Sequence, residues 1–245
     1  MRNVIDKQQL KELVDNGKSY KEISEILHCN ETSLCRCYTK NFGKRLDRAA
    51  SYRQKIDITK EQEEIIFGSL LGDMCITKHV KTYRGLECHS IKQLHYIEYK
   101  HNLLKSLCGK LLDTTTIIKN KTYYKKQFVL RPNLNLEKFY NMFYIKENLK
   151  KDVPYNLSLL TPRAIAFWFM DDGFHVTNKN NILGFSTCSF SLEGLIRLQN
   201  YLKTTYNIDT IIRKNFYLIV RTNSYQTLYN LIKPYIIPSM LYKLG

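Results

Sequence analysis

Residues 65–73 of this chain read IIFGSLLGD, and residues 161–173 read TPRAIAFWFMDDG. These two apolar stretches, each ending at an acidic residue, decide how the chain folds. If they form helices that pack side by side, Asp73 and Asp172 emerge together at one end of the pair. Adjacent carboxylates repel each other unless a cation lies between them, and hard oxygen ligands of this kind select Mg²⁺. The stretches therefore predict a divalent-metal site, although either one alone is typical of an ordinary core helix.

The residues around each stretch predict two helices that approach closely. Thr59 and Gln62 form a capping box ahead of the first stretch. Thr161 caps the second stretch, and Pro162 fits its first helical position. Small residues lie three or four positions apart on one face of the first helix: Gly68, Ser69 and Gly72. Because small residues let another backbone come near, this face is predicted to contact the second helix.

The composition points to a nucleic-acid partner. The chain has 245 residues, a formal net charge of +16, 18 tyrosines and 11 phenylalanines. A basic surface rich in tyrosine suits a phosphate backbone, although biased base composition could account for part of the lysine content.

Membrane insertion and secretion are not expected. No apolar run reaches the roughly 20 residues that a membrane span needs, and no signal peptide is visible. The seven cysteines are odd in number and scattered, which favours a reducing compartment. We therefore expect an intracellular location: the cytoplasm of a bacterium or of a phage-infected cell, or an organelle matrix.

Residues 1–48 have the pattern of a small helical module. Asp6 can cap a first helix, and Asn30 can cap a third helix that reaches about Tyr38. Two short helices joined by a three-residue turn match the helix-turn-helix pattern, although the turn lacks its usual glycine. In this interpretation the third helix enters the major groove, where its DNA-binding residues include Thr32, Ser33 and Arg36. The alternative is a plain three-helix bundle used for packing. Residues 49–58 form a basic linker.

The rest of the chain repeats one unit twice. Residues 59–160 and 161–245 each read as helix, hairpin, helix, hairpin, helix, with the middle helix of the first half over residues 94–111. This duplication predicts an α+β fold of two pseudo-twofold αββαββα halves, whose four-stranded sheets form a saddle with one face free. A β-ribbon can read bases in the major groove with basic side chains. Basic residues on or beside the hairpins are Lys78, Lys81, Arg84, Lys92, Lys119, Lys121, Lys125, Arg213, Lys214 and Arg221.

The ends of the two apolar stretches resemble the paired LAGLIDADG motifs of homing endonucleases, and the resemblance covers residues 59–245. The segments 160–173 and 229–244 are similar to single-chain, intron-encoded members of that family. The resemblance implies site-specific cleavage of double-stranded DNA with Mg²⁺, for which Mn²⁺ is a substitute. It also implies a monomer and a long target that is either pseudo-palindromic or asymmetric.

The resemblance also assigns roles to individual residues. Two acids, and the backbone carbonyl groups of the residues before them, become the metal ligands: Asp73, Asp172, Gly72 and Asp171. The two acids are catalytic as well. Two lysines become catalytic groups that polarise the scissile phosphate or orient the attacking water: Lys151, for which Lys150 is a substitute, and Lys243.

The sequence departs from the family pattern at three positions near the proposed site. Met74 stands where the motif usually has a small residue, so packing at that end is expected to differ. Cys188 replaces a glutamine, and Ser186 is a candidate to supply the missing polar contact. Ser90 occupies a position where a polar or acidic residue is expected. None of these departures removes a metal-ligating acid, so activity is expected to be retained.

Two other functions are compatible with the same sequence. One is an RNA-binding maturase that assists group I intron splicing on the same fold, with intron RNA as its partner. The other is a regulator that binds DNA through the helix-turn-helix and does not cut. The two intact acids favour the nuclease, because a pure binder has no need to hold two carboxylates against a phosphate backbone.

Overall fold

A computed structural model of the chain describes residues 5–16, 18, 20–43, 55–79, 82–145, 150–176 and 182–245. Lys81 and residues 44–54, which include most of the predicted basic linker, lie outside the described residues. The helices are α1 Lys7–Asp15, α2 Tyr20–Ile26, α3 Glu31–Phe42, α4 Lys60–Leu71, α5 Leu94–Leu103, α6 Glu137–Phe143, α7 Pro162–Asp172, α8 Leu192–Tyr206 and α9 Tyr225–Ile232. The strands are β1 Cys75–His79, β2 Thr82–Ser90, β3 Leu112–Ile118, β4 Lys121–Val129, β5 Gly173–Val176, β6 Ile182–Phe185, β7 Thr210–Ile212 and β8 Leu218–Val220.

The strands form two antiparallel sheets of the same topology. The order is β1-β2-β4-β3 in the first sheet and β5-β6-β8-β7 in the second. Each half therefore runs αββαββα, and the predicted duplicated α+β fold is confirmed. Short 3-10 turns lead into α5, α6 and α9 or follow α9 near the C-terminus.

Local capping explains where the central helices begin. Thr59 accepts a hydrogen bond from the Gln62 N–H, and the Gln62 side chain accepts one from the Thr59 N–H, so the predicted capping box is present. Thr161 accepts from the Ala164 N–H, and Pro162 occupies the first turn of α7. Both helices thus start at the residues that the sequence indicated.

The contact between α4 and α7 depends on glycine. A Cβ atom added to Gly68 would lie 2.1 Å from the carbonyl oxygen of Ala164. One added to Gly72 would lie 2.4 Å from Cβ of Asp171. The two backbones approach too closely for any side chain at these positions. This close approach brings the C-terminal ends of the two helices together.

One face of each sheet packs on helices, and the alternation of burial along β2 identifies that face. Tyr83, Glu87 and His89 are buried, whereas Arg84 and Ser90 on the other face are exposed. The hydrophobic core runs continuously from α4 through α7 to both helical layers. Among the described residues, the opposite face of β2 is exposed at Arg84 and Ser90, as the saddle prediction requires.

The N-terminal module has a small core of its own, made by Leu10, Ile23 and Leu34. Asp6 caps α1 and Asn30 caps α3, as predicted. Helix α3 continues to Phe42 rather than ending near Tyr38, because Gly43 adopts a left-handed conformation and ends it there.

The middle helix of the first half is shorter than predicted. The sequence indicated residues 94–111, but α5 ends at Leu103. Leu107 and Cys108 are buried beyond its end, and Cys108 forms a β-bridge with Leu130. The apolar residues after position 103 are therefore packed as a turn against β4, and their periodicity does not extend the helix.

Candidate active site

The two predicted catalytic acids stand at the ends of the central helices. Asp73 follows α4, and 42% of its side chain is exposed. Asp172 is the last residue of α7 and is half-buried. Burial, followed by the negative charges of Asp73 and Asp171, raises the pKa of Asp172 to about 7. Asp73 is therefore close enough to disfavour the charged form of Asp172, as a second ligand of one cation would.

The two predicted lysines contact the backbone beside the acids in a matching way. Lys151 Nζ donates to the Gly72 carbonyl at 2.6 Å and to the Met74 carbonyl at 3.0 Å. Lys243 Nζ donates to the Asp171 carbonyl at 2.7 Å. Each lysine thus holds the carbonyl that precedes one acid. Burial lowers the pKa of both lysines, and the neighbouring carboxylates oppose that shift.

The side chain of Asp171 has a role that the sequence did not indicate. Its carboxylate is buried and accepts hydrogen bonds from Lys100 Nζ at 2.8 and 3.1 Å and from the Tyr96 hydroxyl at 2.8 Å. The Asp73 N–H donates to it at 3.4 Å. Asp171, which belongs to α7 of the second half, is therefore held in a pocket built by the first half.

That pocket contains two further ionisable residues of β2. Lys100 Nζ also donates to Glu87 Oε1 at 2.8 Å. Glu87 in turn accepts from His89 Nε2 at 2.6 Å. Burial opposes ionisation of Glu87, but the charge of Lys100 and the hydrogen bond from His89 hold the pKa of its carboxyl below the usual value. Sequence reasoning missed Glu87, His89 and Lys100, which lie 14 to 27 residues after Asp73 and carry no motif of their own.

The second half has no equivalent pocket within the residues that the structure describes. The strand that follows each acid pairs with the next strand, and this pairing aligns the two halves. Aligned in this way, Phe185 corresponds to Glu87 and Thr187 corresponds to His89. Phe185 stacks on Trp168 with ring centroids 3.8 Å apart. The duplicated halves therefore share a backbone plan but differ in chemistry around the acids.

The donor set fits a hard divalent cation. The carboxylates of Asp73 and Asp172 and the carbonyls of Gly72 and Asp171 are oxygen donors of the kind that Mg²⁺ prefers. A carbonyl oxygen has two lone pairs, so it can accept from a lysine and still face a cation. The raised pKa of Asp172 reflects burial first and then the negative charges of Asp73 and Asp171, which the two lysines offset only in part.

The registers sort the basic residues of the first sheet between its two faces. Arg84 and Lys125 lie on the open face, and Lys121 shares it at the tip of the second hairpin. Lys78 pairs with Tyr83 on the helix-covered face, where its ammonium lies 5.9 Å from the Tyr83 ring centroid. Lys78 therefore lies on the opposite side of the sheet from Arg84, Lys121 and Lys125.

The remaining predicted DNA-binding residues lie in turns or at sheet ends. Lys119 has a left-handed backbone in the β3–β4 turn. Lys92 lies in the 3-10 turn after β2. The second half contributes three exposed residues beside β7 and β8: Arg213, Lys214 and Arg221. In the N-terminal module, Thr32 and Arg36 are exposed on α3, and Ser33 lies in its first turn, where Asn30 accepts from its N–H.

The three departures from the family pattern have simple placements. Met74 is fully buried in the core, so the larger side chain is accommodated. Cys188 is exposed, and its Sγ lies 3.8 Å from the hydroxyl oxygen of Ser186. Ser90 accepts a hydrogen bond from the Lys92 N–H and caps the turn before α5. Lys150 is exposed, unlike the half-buried Lys151 beside it.

Comparisons with known proteins agree with this geometry. A sequence profile described as the LAGLIDADG DNA endonuclease family matches residues 63–228. The DNA endonuclease I-ChuI of Chlamydomonas applanata is 35% identical over 211 residues, which are 78% of this chain and 97% of that protein. The solved structure of the homing endonuclease I-WcaI bound to its DNA recognition sequence superposes with a TM-score of 0.72 at 28% identity, over 81% of this chain and 92% of that one. The chain belongs to the LAGLIDADG DNA endonuclease family.

A splicing protein is also among the relatives. The cytochrome b mRNA maturase bI2 of Saccharomyces cerevisiae is 33% identical over 201 residues, which are 74% of this chain and 46% of that protein.

Among the described residues, no helix is both long enough and apolar enough to cross a membrane.

Proposed function

We propose that this protein is a site-specific double-strand DNA endonuclease that hydrolyses phosphodiester bonds with a divalent metal, Mg²⁺ or its substitute Mn²⁺. The observation that carries the proposal is the meeting of Asp73 and Asp172 at the ends of the glycine-packed helix pair. The raised pKa of Asp172 supports it, because burial and the charges of Asp73 and Asp171 disfavour the ionised acid, which a bound cation would stabilise. The family membership of the chain and its similarity to a DNA-bound homing endonuclease agree with this function.

The chain's own residues have separable tasks in this reaction. Asp73 and Asp172, with the carbonyls of Gly72 and Asp171, hold the metal ions. When bound, the metal lowers the pKa of a water molecule and neutralises charge on the phosphate. Lys151 and Lys243 add positive charge where the transition state gains negative charge, and their bonds to the backbone keep them in place.

The open sheet faces supply the DNA interface in this proposal. In the first half, Arg84, Lys121 and Lys125 project from the face that no helix covers, with Lys119 at the hairpin tip. In the second half, Arg213 and Lys214 are exposed beside β7. One chain carries both acids, so we propose that it acts as a monomer on a long duplex target. Residues 1–48 would add contacts beyond the saddle through Thr32 and Arg36.

The experiment begins with a target selected from a randomised DNA library by binding of the full chain in Ca²⁺. With Mg²⁺ the wild type is expected to cut both strands of that target, and EDTA is expected to abolish cutting. Asp73→Asn and Asp172→Asn are expected to bind with near-normal affinity and to lower the cleavage rate by about a thousandfold or more. Asp209→Asn is the matched control, because Asp209 pairs with Lys203 at the surface. Normal cutting by both site variants would refute the assignment.

A maturase activity is a second candidate, and the 33% identity to a cytochrome b mRNA maturase is the observation that favours it. The same basic sheet faces suit RNA as well as DNA. Splicing of the host intron with and without the protein tests this function. Asp73→Asn is expected to retain splicing assistance, because RNA folding does not use the catalytic acids.

A further inference from the structure

His89 is a buried histidine that faces one catalytic acid. It lies on the helix-covered side of β2 and is 2% exposed. Its Nδ1 lies 3.5 Å from Asp73 Oδ2 and 3.2 Å from Gln93 Oε1. Its Nε2 lies 2.6 Å from Glu87 Oε1. Because an ionised carboxylate only accepts hydrogen bonds, Nε2 donates to Glu87, and oxygen atoms of Asp73 and Gln93 surround Nδ1.

The ring of His89 is held in this orientation from several sides. Lys100 bonds both Glu87 and Asp171, so the partner of Nε2 is itself fixed by a buried ion pair. Tyr96 packs edge-to-face on the ring, with centroids 5.1 Å apart, and its hydroxyl donates to Asp171. The ion pairs of Lys100 and the packing of Tyr96 leave the ring little freedom to move. His89 therefore presents Nδ1 to Asp73 from a rigid support.

Among the described residues, the second acid has no comparable support. Thr187 takes the place of His89, and its hydroxyl donates to the carbonyl of Phe216. Phe185 takes the place of Glu87 and stacks in the core. Within the described residues, the cations that act on Asp172 are Lys151 and Lys243. The two acids are thus held by different chemistry even though the helices that carry them are related by the duplication.

We propose that His89 is a positioning residue for Asp73, and that it makes the two catalytic acids inequivalent, so that the two DNA strands are cut at unequal rates. The inference rests on the proposed nuclease function, and it predicts that one DNA strand is cut faster than the other. The imidazole against Asp73 Oδ2 restricts the rotation of that carboxylate, so that its other oxygen would stay available to a metal. Within the described residues, Thr187 gives Asp172 no such restriction.

A strand-resolved cleavage assay on the full chain tests the proposal. Each strand of the selected target carries its own label, and nicking is followed in Mg²⁺ under single-turnover conditions. His89→Asn and His89→Gln are the informative pair, because the asparagine amide nitrogen lies near the position of Nδ1, whereas that of glutamine lies near Nε2. His89→Gln is expected to slow one strand at least fivefold and leave the other within twofold. His89→Asn is expected to keep both strands within twofold of wild type.

His101→Gln is the matched control for the histidine replacement. His101 lies on α5, where its Nε2 bonds the Gly109 carbonyl, and the variant is expected to leave both rates unchanged. Equal slowing of both strands, or equal behaviour of the asparagine and glutamine variants, would overturn the positioning role while leaving the nuclease proposal intact. Failure of the wild type to cut any selected target would overturn both.

A second readout does not depend on activity. In metal-free protein at fixed pH, the imidazole ¹⁵N resonances of His89 report its neighbours directly. Asp73→Asn is expected to shift the Nδ1 resonance and leave Nε2 nearly unchanged, because Glu87 still occupies that side. The resonances of His101 serve as the internal reference. An Nδ1 resonance that does not respond to Asp73→Asn would show that the two side chains are uncoupled, and the proposal would fail.

Discussion

Charge at the active site is unevenly balanced from one residue to the next. Glu87, Asp171, Lys100 and His89 are all buried and paired with one another, and the pKa of Glu87 is held below its usual value. Burial, with the charges of neighbouring acids, raises the pKa of Asp171 to about 6 and that of Asp172 to about 7. Without metal, the site therefore lowers the stability of the fold, which is common where catalytic groups are held close together.

Asp172→Asn is predicted to stabilise the metal-free protein. The pKa of Asp172 in the folded protein, about 7, lies above its ordinary value of 3.8, so the folded state favours the protonated acid. The stability that this proton contributes is present at low pH and is lost as the pH rises from about 4 to about 7. In EDTA the variant should unfold at a higher temperature than wild type. The difference in the free energy of unfolding between variant and wild type should increase across that pH range, to the order of 1–3 kcal/mol.

Differential scanning calorimetry in EDTA checks this prediction. Asp209→Asn is the control, since Asp209 pairs with Lys203 at the surface and its replacement should not give a gap that widens over the same range. Adding Mg²⁺ should stabilise wild type more than the variant. A variant that is less stable than wild type at pH 8 in EDTA would contradict the account of Asp172.

The residues around the acids show what a single sequence conveys. The four proposed ligand residues could be placed by motif alone, because each motif end is continuous in sequence. Glu87, His89 and Lys100 could not, because a charged residue on a strand or helix normally faces solvent. Their burial follows from the way α5 and β2 meet Asp171 across the two halves, and no local pattern encodes that meeting.

Among the helices and strands, ends with a capping residue were predicted well. The starts of α1, α3, α4 and α7 follow from Asp6, Asn30, Thr59 and Thr161. The predicted end of α5 at residue 111 was wrong, because Leu107 packs against the sheet and does not continue the helix. Capping is a local interaction that sequence encodes directly, whereas the early end of α5 depends on tertiary packing.

Gly68→Ala is predicted to disrupt the helix pair. The added Cβ would lie 2.1 Å from the Ala164 carbonyl oxygen. Both backbones belong to helices, so relieving the clash requires one whole helix to move away from the other. We expect a loss of about 3 kcal/mol or more in the free energy of unfolding, the upper end of overpacking costs. Urea denaturation measures it.

Gly109→Ala is the matched control for Gly68→Ala. Its added Cβ would meet only the Val129 carbonyl oxygen, at an ordinary 3.8 Å. Its free energy of unfolding should stay within about 1 kcal/mol of wild type, because the new methyl group needs no rearrangement. Equal effects of the two substitutions would show that the close contact of α4 and α7 does not limit stability.

For the molecule as a whole, the N-terminal module is predicted to be separable from the nuclease body. Its buried residues form a cluster distinct from the main core. Deleting residues 1–48 should therefore leave the thermal unfolding of the body intact while weakening DNA binding and shortening the footprint. Arg36→Ala in the full chain should weaken binding in the same direction by a smaller factor. A footprint unchanged by the deletion would favour the packing-only alternative.

The two sheets differ in the length of their open faces. The first sheet has strands of five to nine residues, and its open face carries Arg84, Lys121 and Lys125 among exposed apolar side chains. The second sheet has strands of three or four residues, and Phe174 packs edge-to-face on Tyr217 there. Positive side chains suit phosphates and guanine, whereas apolar side chains suit the methyl group of thymine. The first sheet is therefore expected to read a longer half-site than the second, which favours an asymmetric target.

Removing thymine methyl groups is predicted to weaken binding at more positions under the first sheet than under the second. Leu86, Leu112 and Ile118 are exposed on the longer open face of the first sheet. Each thymine replaced by deoxyuridine should lower affinity by about fourfold where its methyl group contacts an apolar side chain, since one buried methylene-sized group contributes about 0.8 kcal/mol. The replacement leaves base pairing unchanged, so the loss reports the methyl contact alone. Binding is measured by fluorescence anisotropy in Ca²⁺, and equal numbers of sensitive thymines in the two half-sites would contradict this difference between the sheets.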